Sequence, residues 1–367
     1  MTTQIFIVDE TGRWVTPPDP IISHRTESWR VDLLNNSDTN LGKLDGVTAG
    51  DFTINVNATI RGGGSLTYHG DLIDWNAHRV QPWYRAEAGG QVIEWPIGVF
   101  IVATPGQEHQ DAGVTQSLAL YDKTLILDQD KVAETFQAAK GAKVVTVIRT
   151  LLESAGQTRS AIVDTPDVLA NPMVWEAGTS KLRIINDLLA SINYFAIFTD
   201  GYGVFRAEPY QAPAYRGTTF RFVDDKKSIY SPNFTHQRDT FEVPNRVVCI
   251  GQADGETPAL IGVAEDTSTG PYSYSTRGRW ITTTYEGVDA TDQATLSALA
   301  KRYLSEGQLV GTTFEISHAP IELWFNDVVE FRRDLRGIEA TCVVQSIGYS
   351  MATGALCSTT LREVNIG

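Results

Sequence analysis

Two histidines lie close to carboxylates in the sequence and are the first candidates for metal ligands. His69 is followed by Asp71, and His78 follows Asp74. Imidazole nitrogens and carboxylate oxygens both bind zinc, but known zinc motifs have ligand spacings that these residues do not match. We therefore interpret both histidines as solvated or interfacial side chains, and we expect neither a metal ion nor a cofactor.

Two other stretches resemble ligand-binding loops and fail at diagnostic positions. The run Gly62-Gly63-Gly64 is not followed by the lysine and helix of a phosphate-binding loop, so we predict a turn there. Asn36, Asp38 and Asn40 have the spacing of a calcium loop. Leu41 stands where that loop requires glycine, and the closing glutamate is also missing. We therefore predict no calcium site.

Catalytic residues are not predicted either. Gly348 to Ala352 lacks the final glycine of a nucleophile elbow and falls inside a strand pattern. A carboxylate pair for glycoside hydrolysis is defined by separation in space, so the sequence leaves it open. Trp75, Trp83, Tyr84 and Trp95 would suit a carbohydrate platform, but their alternating positions favour a core or a subunit interface. One hypothesis of function is therefore a β-rich cell-wall polysaccharide hydrolase or a carbohydrate-binding module.

Composition narrows the class of protein. The chain has 367 residues, of which 42% are hydrophobic and 20% charged, as in folded multidomain proteins. The net charge of −14 argues against a nucleic-acid-binding surface, which needs clustered Lys and Arg. Cys249, Cys342 and Cys357 have no paired spacing and are expected to be small core residues. No long apolar run and no signal-peptide pattern occurs, so we expect no membrane span.

The patterning divides the chain into four segments. Residues 1–24 form an N-terminal arm that ends in a proline-rich connector. Residues 25–128 show recurrent alternation of apolar and polar residues, with breaks such as Thr104-Pro105-Gly106, and are predicted to be a β domain. Residues 129–239 carry two stripes with helical spacing and an Asp-Gly hairpin signal, which indicates a small α/β domain. Residues 240–367 return to strands, with one helix at about 291–306.

Several motifs together resemble one known family. The sequence Pro244-Asn245-Arg246, which leads into an apolar strand, is similar to the entry of the second barrel in tail-tip or baseplate hub proteins of tailed bacteriophages, also called minor tail proteins. Pro320 and Asp327 lie in stretches that resemble the closing meander of that family. Trp95 to Phe100 resembles a late strand of its first barrel. The resemblance covers residues from about 25 to 365.

The resemblance implies a fold and a function. The fold class would be mainly β with an α/β insert, in which two tube-type β-barrel or sandwich domains of the same connectivity flank the small α/β domain. The protein would be a structural, non-enzymatic virion subunit, a homotrimer whose two tube-type domains per chain make a pseudo-sixfold ring. That hub would close or continue the tail tube from sixfold to threefold symmetry and line the channel for DNA ejection. Pro244, Asn245, Arg246, Pro320 and Asp327 would serve structure or assembly.

Partners and location follow from the same resemblance. The expected partners are the distal tail or tail tube protein ring, a tail fibre or central tip protein, the tape measure protein, and genomic DNA in transit only. The protein would be made in the host cytoplasm and reside at the tail tip of the virion. The charge distribution agrees with this hypothesis, because the acidic excess lies in residues 1–128 and 240–367, whereas 129–239 is nearly neutral. Acidic channel walls would repel phosphates rather than bind them.

Overall fold

The structure is a computed structural model. The residues that it describes are 7–8, 14–15, 21, 24–110, 113–169, 171–225, 228–238, 241–251, 259–270, 272–288, 293–308 and 312–364. The chain divides into two compact units, a first unit of Met1–Asn233, Ile316–Glu339 and Val343–Thr360, and a second of Phe234–Glu315, Ala340–Cys342 and Leu361–Gly367. The predicted arm, residues 1–24, lies largely outside the described residues, and the four-segment division stays a prediction.

The amino-terminal part of the chain consists of strands. They are β1 (Ile7–Val8), β2 (Trp14–Val15), β3 (Thr26–Asn35), β4 (Asn40–Lys43), β5 (Val47–Asn55), β6 (Gly62–His69), β7 (His78–Ala88), β8 (Gln91–Pro96), β9 (Phe100–Gln110) and β10 (Gly113–Asp122).

The middle of the chain alternates short helices and strands. They are α1 (Thr124–Gln129), β11 (Phe136–Ala138), α2 (Val144–Ser154), β12 (Ser160–Ile162), β13 (Met173–Trp175), α3 (Lys181–Ser191), β14 (Phe198–Thr199), β15 (Phe205–Ala207), a 3-10 helix (Pro213–Tyr215) and β16 (Thr218–Phe222).

The carboxy-terminal part is again mainly β. Its elements are β17 (Tyr230–Arg238), β18 (Arg246–Gly251), β19 (Ile261–Glu265), α4 (Tyr274–Arg277), β20 (Thr282–Val288), α5 (Gln293–Gln308), β21 (Thr312–His318), β22 (Val328–Arg333), a 3-10 helix (Asp334–Arg336), β23 (Ile338–Ser350) and β24 (Cys357–Glu363).

Among the described residues, the largest sheet has 14 strands and joins elements that are far apart in sequence. Its path is β17-β21-β24-β23-β5-β6-β10-β9-β7-β3-β4, with β8 paired to β7, and β22 paired to β23 and β16. The pairing of β5 with β23 is antiparallel and places Phe52 opposite Tyr349. The mainly-β class is confirmed, and none of the sheets formed by the described residues closes into a barrel. The β-rich segments are therefore open sheets.

Alternation along the strands sends one set of side chains into the core of the first unit. Phe52 of β5 is fully buried and stacks on Phe100 of β9, with ring centroids 5.9 Å apart. Tyr84 of β7 is also fully buried and lies 4.6 Å from the ring of Trp95. Such aromatic pairs add to the stabilisation from burying their area. Trp95 and Tyr84 thus lie in the core, one of the two locations that the alternation predicted.

Two stretches of the first unit that were predicted to separate strands belong to strands in the structure. Gly62 and Gly64 open β6 rather than form the predicted turn, because a Cβ on Gly64 would lie 2.1 Å from the carbonyl oxygen of Asp51 on the paired strand. The glycine is required by this close approach of two strands. The predicted break at Thr104-Pro105 is also wrong, since β9 runs through it. The register shifts there by a bulge, where a proline without an N–H group is tolerated.

The middle segment packs around its own apolar cluster. Helices α2 and α3 bury the stripes that the helical spacing predicted, including Ile148, Leu152, Ile185 and Leu189. Strands β12 and β15 are parallel, and β14 pairs with β15 in the predicted Asp-Gly hairpin. The α/β character of this segment is thereby confirmed.

The second unit contains a three-stranded sheet of order β19-β18-β20 with α5 on one face. Val247, Cys249 and Ala264 pack against Leu296 and other residues of the helix. A Cβ on Gly262 would lie 2.6 Å from the carbonyl oxygen of Leu296, so a small residue permits this close approach. The helix falls where the sequence predicted it. None of the described helices is long and apolar enough to cross a membrane.

Candidate functional site

Asn245 is fully buried and fastens the entry of β18 to its neighbours. Its side-chain Nδ2 donates to the carbonyl oxygen of Arg279 over 2.9 Å, and its Oδ1 accepts from the backbone N–H of Ile281 over 2.7 Å. The backbone oxygen of Asn245 accepts from Asp266 over 2.8 Å. The side-chain amide therefore satisfies two backbone groups of the segment before β20, and the backbone oxygen binds the end of β19, which explains why a buried polar residue is stable there.

The residues on either side of Asn245 are also held in place. Pro244 lies against the end of α5, where a Cβ on Gly307 would come within 2.6 Å of the proline ring. Arg246 pairs with Glu265 on the adjacent strand at 2.8 Å, and its guanidinium lies 3.9 Å from the ring centroid of Trp280. Arg246 thus contacts both the adjacent strand and Trp280 within the second unit, and its role in assembly stays a prediction.

Pro320 and Asp327 belong to the first unit and occupy the connection between β21 and β22. The carbonyl oxygen of Pro320 accepts from Arg25 Nη2 over 2.8 Å, and Arg25 also pairs with Glu27 at 2.8 Å. This contact joins the start of β3 to a segment 295 residues away. Pro320 thereby connects distant parts of one unit.

Asp327 fixes the turn that precedes β22. Its carboxylate accepts from the backbone N–H of Trp324 over 2.8 Å, and its backbone oxygen accepts from Val344 over 2.9 Å. The guanidinium of Arg216 donates to the carbonyl oxygen of Asn326, whose φ is +66°. These contacts hold residues 322–327 as an ordered loop.

A cavity of about 890 Å³ lies beside this loop in the first unit. Most of its walls come from the end of β8 at Trp95–Ile97, from residues 195–211 around the β14-β15 hairpin, and from the loop 322–327. The rest of the lining is Ile54, Val163, Arg216, Thr219 and Tyr349. This volume is in the range of small-ligand sites. Many of the lining side chains are aromatic: Trp95, Phe195, Phe198, Tyr202, Trp324, Phe325 and Tyr349.

Carboxylates provide most of the charge in this cavity. Burial raises the pKa of Asp327, and the hydrogen bond from Trp324 opposes that shift. Burial also raises the pKa of Glu322, and the nearby Asp327 raises it further. Asp200 pairs with Arg206 at 2.6 Å. The cavity can therefore accept a group that is both apolar and positively charged.

The sequence did not indicate this cavity, because its lining comes from segments far apart in the sequence that only the fold brings together. The sequence analysis predicts a core or interface position for Trp95 and a structural or assembly role for Asp327, but no pocket for either residue. The aromatic density between Phe195 and Tyr202, after the second helical stripe, is the signal that could have suggested a pocket.

Asp38, from the rejected calcium loop, is an internal ion-pair centre. It pairs with Arg79, with Lys123 Nζ at 2.6 Å and with Arg159 Nη1 at 3.1 Å, and its side chain is 2% exposed. Burial lowers the pKa of Lys123 to about 8, although Asp38 opposes the shift. Since three basic side chains occupy this carboxylate, its role here is to join the β3-β4 turn to the α/β segment.

The remaining chemical candidates have ordinary structural surroundings. His69 Nδ1 lies 3.1 Å from Thr115 Oγ1, and His78 Nδ1 lies 2.8 Å from the carbonyl oxygen of Asp74. Ser350 lies in β23 opposite Asp51 rather than at a strand-to-helix turn. In the part of the chain that the structure describes, no group of three or more His, Cys, Asp or Glu side chains is arranged to hold a metal ion. Cys249, Cys342 and Cys357 are buried, as expected.

Several proteins of known structure have a fold similar to that of this chain. No protein-family model and no curated protein matches the sequence. The tail protein from Neisseria meningitidis MC58 is similar in structure, with a TM-score of 0.68 and 15% identity over 92% of this chain and 98% of that one. The 43 kDa tail protein of prophage MuSo2 from Shewanella oneidensis has a TM-score of 0.64 and 12% identity, over 93% of this chain and 99% of that chain. Prophage tail protein gp18 from Listeria monocytogenes EGD-e has a TM-score of 0.58 and 11% identity, over 91% and 94%.

The chain therefore has the fold of phage tail proteins. The resemblance that the motifs suggested is confirmed at the level of the fold, over nearly the whole chain.

Proposed function

We propose that this protein is a structural subunit of a phage-type tail, and that it forms the hub at the distal tail tip. The observation that carries the proposal is the shared fold, which covers nearly all of this chain and nearly all of the Neisseria tail protein. In the proposed hub, three copies form a ring that closes or continues the tail tube from sixfold to threefold symmetry. The role is architectural and involves no catalysis.

An exposed apolar sheet face in the second unit supports assembly with other chains. Ile261 and Val263 of β19 are 54% and 46% exposed. They pair with Ile250 and Val248 of β18, which lie on the face opposite α5. A contiguous apolar patch of this kind is typical of protein–protein contact sites. We name Val248, Ile250, Ile261 and Val263 the β19 face and propose that it contacts a second copy of the chain.

Open strand edges support the same proposal. Among the described residues, β19 and β20 are the outer strands of their three-stranded sheet. Unpaired backbone groups on such edges favour pairing with another chain. The proposed partners are two further copies, the distal tail or tail tube ring, a tail fibre or central tip protein, and the tape measure protein.

The charge of the chain agrees with a DNA conduit. The net charge is −14, and the acidic excess lies in the two β-rich ends of the sequence. A channel must not bind the phosphates that pass through it, and acidic walls avoid the counterion release that drives DNA binding. We propose that the inward-facing residues of the ring carry more Asp and Glu than Lys and Arg.

Light scattering and a map of the tail end test the proposal. We expect the purified 40.3 kDa chain to form trimers at high concentration. We expect an electron microscopy map of the intact tail to contain three copies at one level near the tip. Six copies at one level, or none at the tip, would refute the hub. Turnover of peptidoglycan by the purified chain, lost in one carboxylate variant, would favour the hydrolase instead.

A further inference from the structure

The cavity beside Asp327 combines aromatic walls with an excess of carboxylates. Asp200, Glu208, Glu322 and Asp327 line it, against two arginines, and neither lysine nor histidine lines it among the described residues. Both arginines are already engaged. Arg206 pairs with Asp200, and Arg216 donates to the backbone of the 322–327 loop and lies over the ring of Phe195. Negative charge therefore exceeds positive charge within the lining.

Glu322 is the carboxylate best placed to receive a cation from outside. It is exposed and lines the cavity, so it is accessible to a ligand. Burial and the neighbouring Asp327 both raise the pKa of its carboxyl group. A ligand cation beside Glu322 would oppose both effects and favour the ionised form.

The aromatic side chains of the cavity would pack against a cation that has an aliphatic stem and a planar charged group. Trp324, Phe198 and Tyr202 line the same space, and Tyr202 is 53% exposed. Cations bind over aromatic faces, and the guanidinium of arginine also stacks on them and pairs with carboxylates through two hydrogen bonds.

We propose that this cavity binds an arginine side chain presented by a peptide segment of a partner protein. The guanidinium pairs with Glu322, and the aliphatic stem lies against the aromatic walls. A phosphate-bearing ligand does not suit this lining, since carboxylates repel it. The inference goes beyond the proposed hub, because it concerns a site within the first unit and does not depend on how copies of the chain assemble.

A fluorescein-labelled pentapeptide, Gly-Ala-Arg-Ala-Gly, tests the site by polarisation with the full chain. The matched control replaces arginine with citrulline, which has nearly the same shape and no charge. We expect saturable binding of the arginine peptide and about tenfold weaker binding of the citrulline peptide, a difference expected for loss of a charge-assisted contact. Chitotetraose serves as the saccharide probe and is expected not to compete.

Two variants assign the binding to this cavity. Glu322→Gln removes the charge and Tyr202→Ala removes an exposed aromatic ring of the lining, so each is expected to weaken binding several-fold. Glu153→Gln with Glu176→Gln removes two exposed charges outside the cavity and should leave affinity unchanged. Equal binding of both peptides, an unaltered affinity in Glu322→Gln, competition by chitotetraose, or no binding at millimolar peptide would overturn the proposal. None of these results would alter the oligomeric state, which tests the hub separately.

Discussion

Asp38 and Lys123 form an ion pair of 2.6 Å in which each side chain is only 2% exposed. A carboxylate in this position neutralises part of a buried cluster of cations. We predict that Asp38→Asn lowers the free energy of unfolding by about 3–5 kcal/mol, because it leaves Lys123 and Arg79 buried without their counter-charge. Urea unfolding followed by circular dichroism measures the change.

The matched control for that prediction is an exposed ion pair. Arg85 and Glu87 pair at 3.0 Å with side chains 46% and 49% exposed. Glu87→Gln should therefore change stability little, since solvent screens such pairs. Equal effects of the two substitutions would show that burial of the Asp38 cluster does not determine its contribution.

Because His318 is buried, we predict that the stability of the protein depends on pH. It is fully buried, its Nδ1 lies 2.8 Å from the carbonyl oxygen of Ala319, and its Nε2 lies 2.8 Å from Thr359 Oγ1. Burial lowers its pKa from 6.5 to about 4, so the unfolded chain binds a proton that the folded chain does not. The stability that this neutral histidine contributes is complete above pH 6.5 and falls as the pH drops towards 4. The total loss is about 3 kcal/mol.

Urea unfolding at a series of pH values between 8 and 4.5 checks the sign. We expect His318→Gln to flatten the pH dependence, because glutamine remains neutral over the whole range. His109→Gln, at an exposed position of β9, should keep the slope of the unmodified protein. A slope that His318→Gln leaves unchanged would contradict the assignment.

We predict that the side chain of Asn245 contributes to the stability of the second unit and not to that of the first. Asn245→Ala removes the acceptor for Ile281 N–H and the donor to the Arg279 carbonyl, so we expect a loss of about 1–3 kcal/mol. Hydrogen exchange should accelerate in peptides that cover β18 and β20, while peptides of α2 and α3 keep their rates. Asn233→Ala, at an exposed site, is the control. Unchanged exchange in β18 would exclude a fastening role for this amide.

The β19 face predicts how the oligomer responds to substitution. Ile261→Thr with Val263→Thr keeps β-branched residues in the strand and removes apolar area, so we expect trimers to dissociate at concentrations at least tenfold higher than for the unmodified chain. Light scattering across a dilution series measures this. Leu72→Thr with Leu335→Thr changes two leucines that are 60% and 82% exposed, and should leave assembly intact. Dissociation in the control, or none in the β19 variant, would place the interface elsewhere.

The structural elements that the sequence predicts correctly are those determined by local interactions. The stripes of α2 and α3 follow from a spacing of three and four residues, and the Asp-Gly turn after Thr199 follows from its own chemistry. The class of fold followed from alternation along the strands. These patterns need no knowledge of which strand lies beside which.

Features that depend on contacts between distant segments could not be predicted from the sequence. Gly62-Gly63-Gly64 has the composition of a turn, and only the carbonyl of Asp51 on the neighbouring strand explains why glycine stands there. The bulge that accommodates Pro105 depends likewise on the register with β10. The cavity beside Asp327 could not be predicted for the same reason, since its aromatic and acidic walls come from segments that are far apart in the sequence.

The pairing of β5 with β23 has a consequence for synthesis of the chain. Asn55 and Ser346 are cross-strand partners, so the edge of β5 cannot be covered until almost 300 further residues have left the ribosome. At a translation rate of about 5–20 residues per second, that interval is roughly 15–60 s. During it, an apolar strand edge is open to pairing with neighbouring nascent chains. We therefore expect the yield of soluble protein to depend on elongation speed and on chaperones that bind during translation.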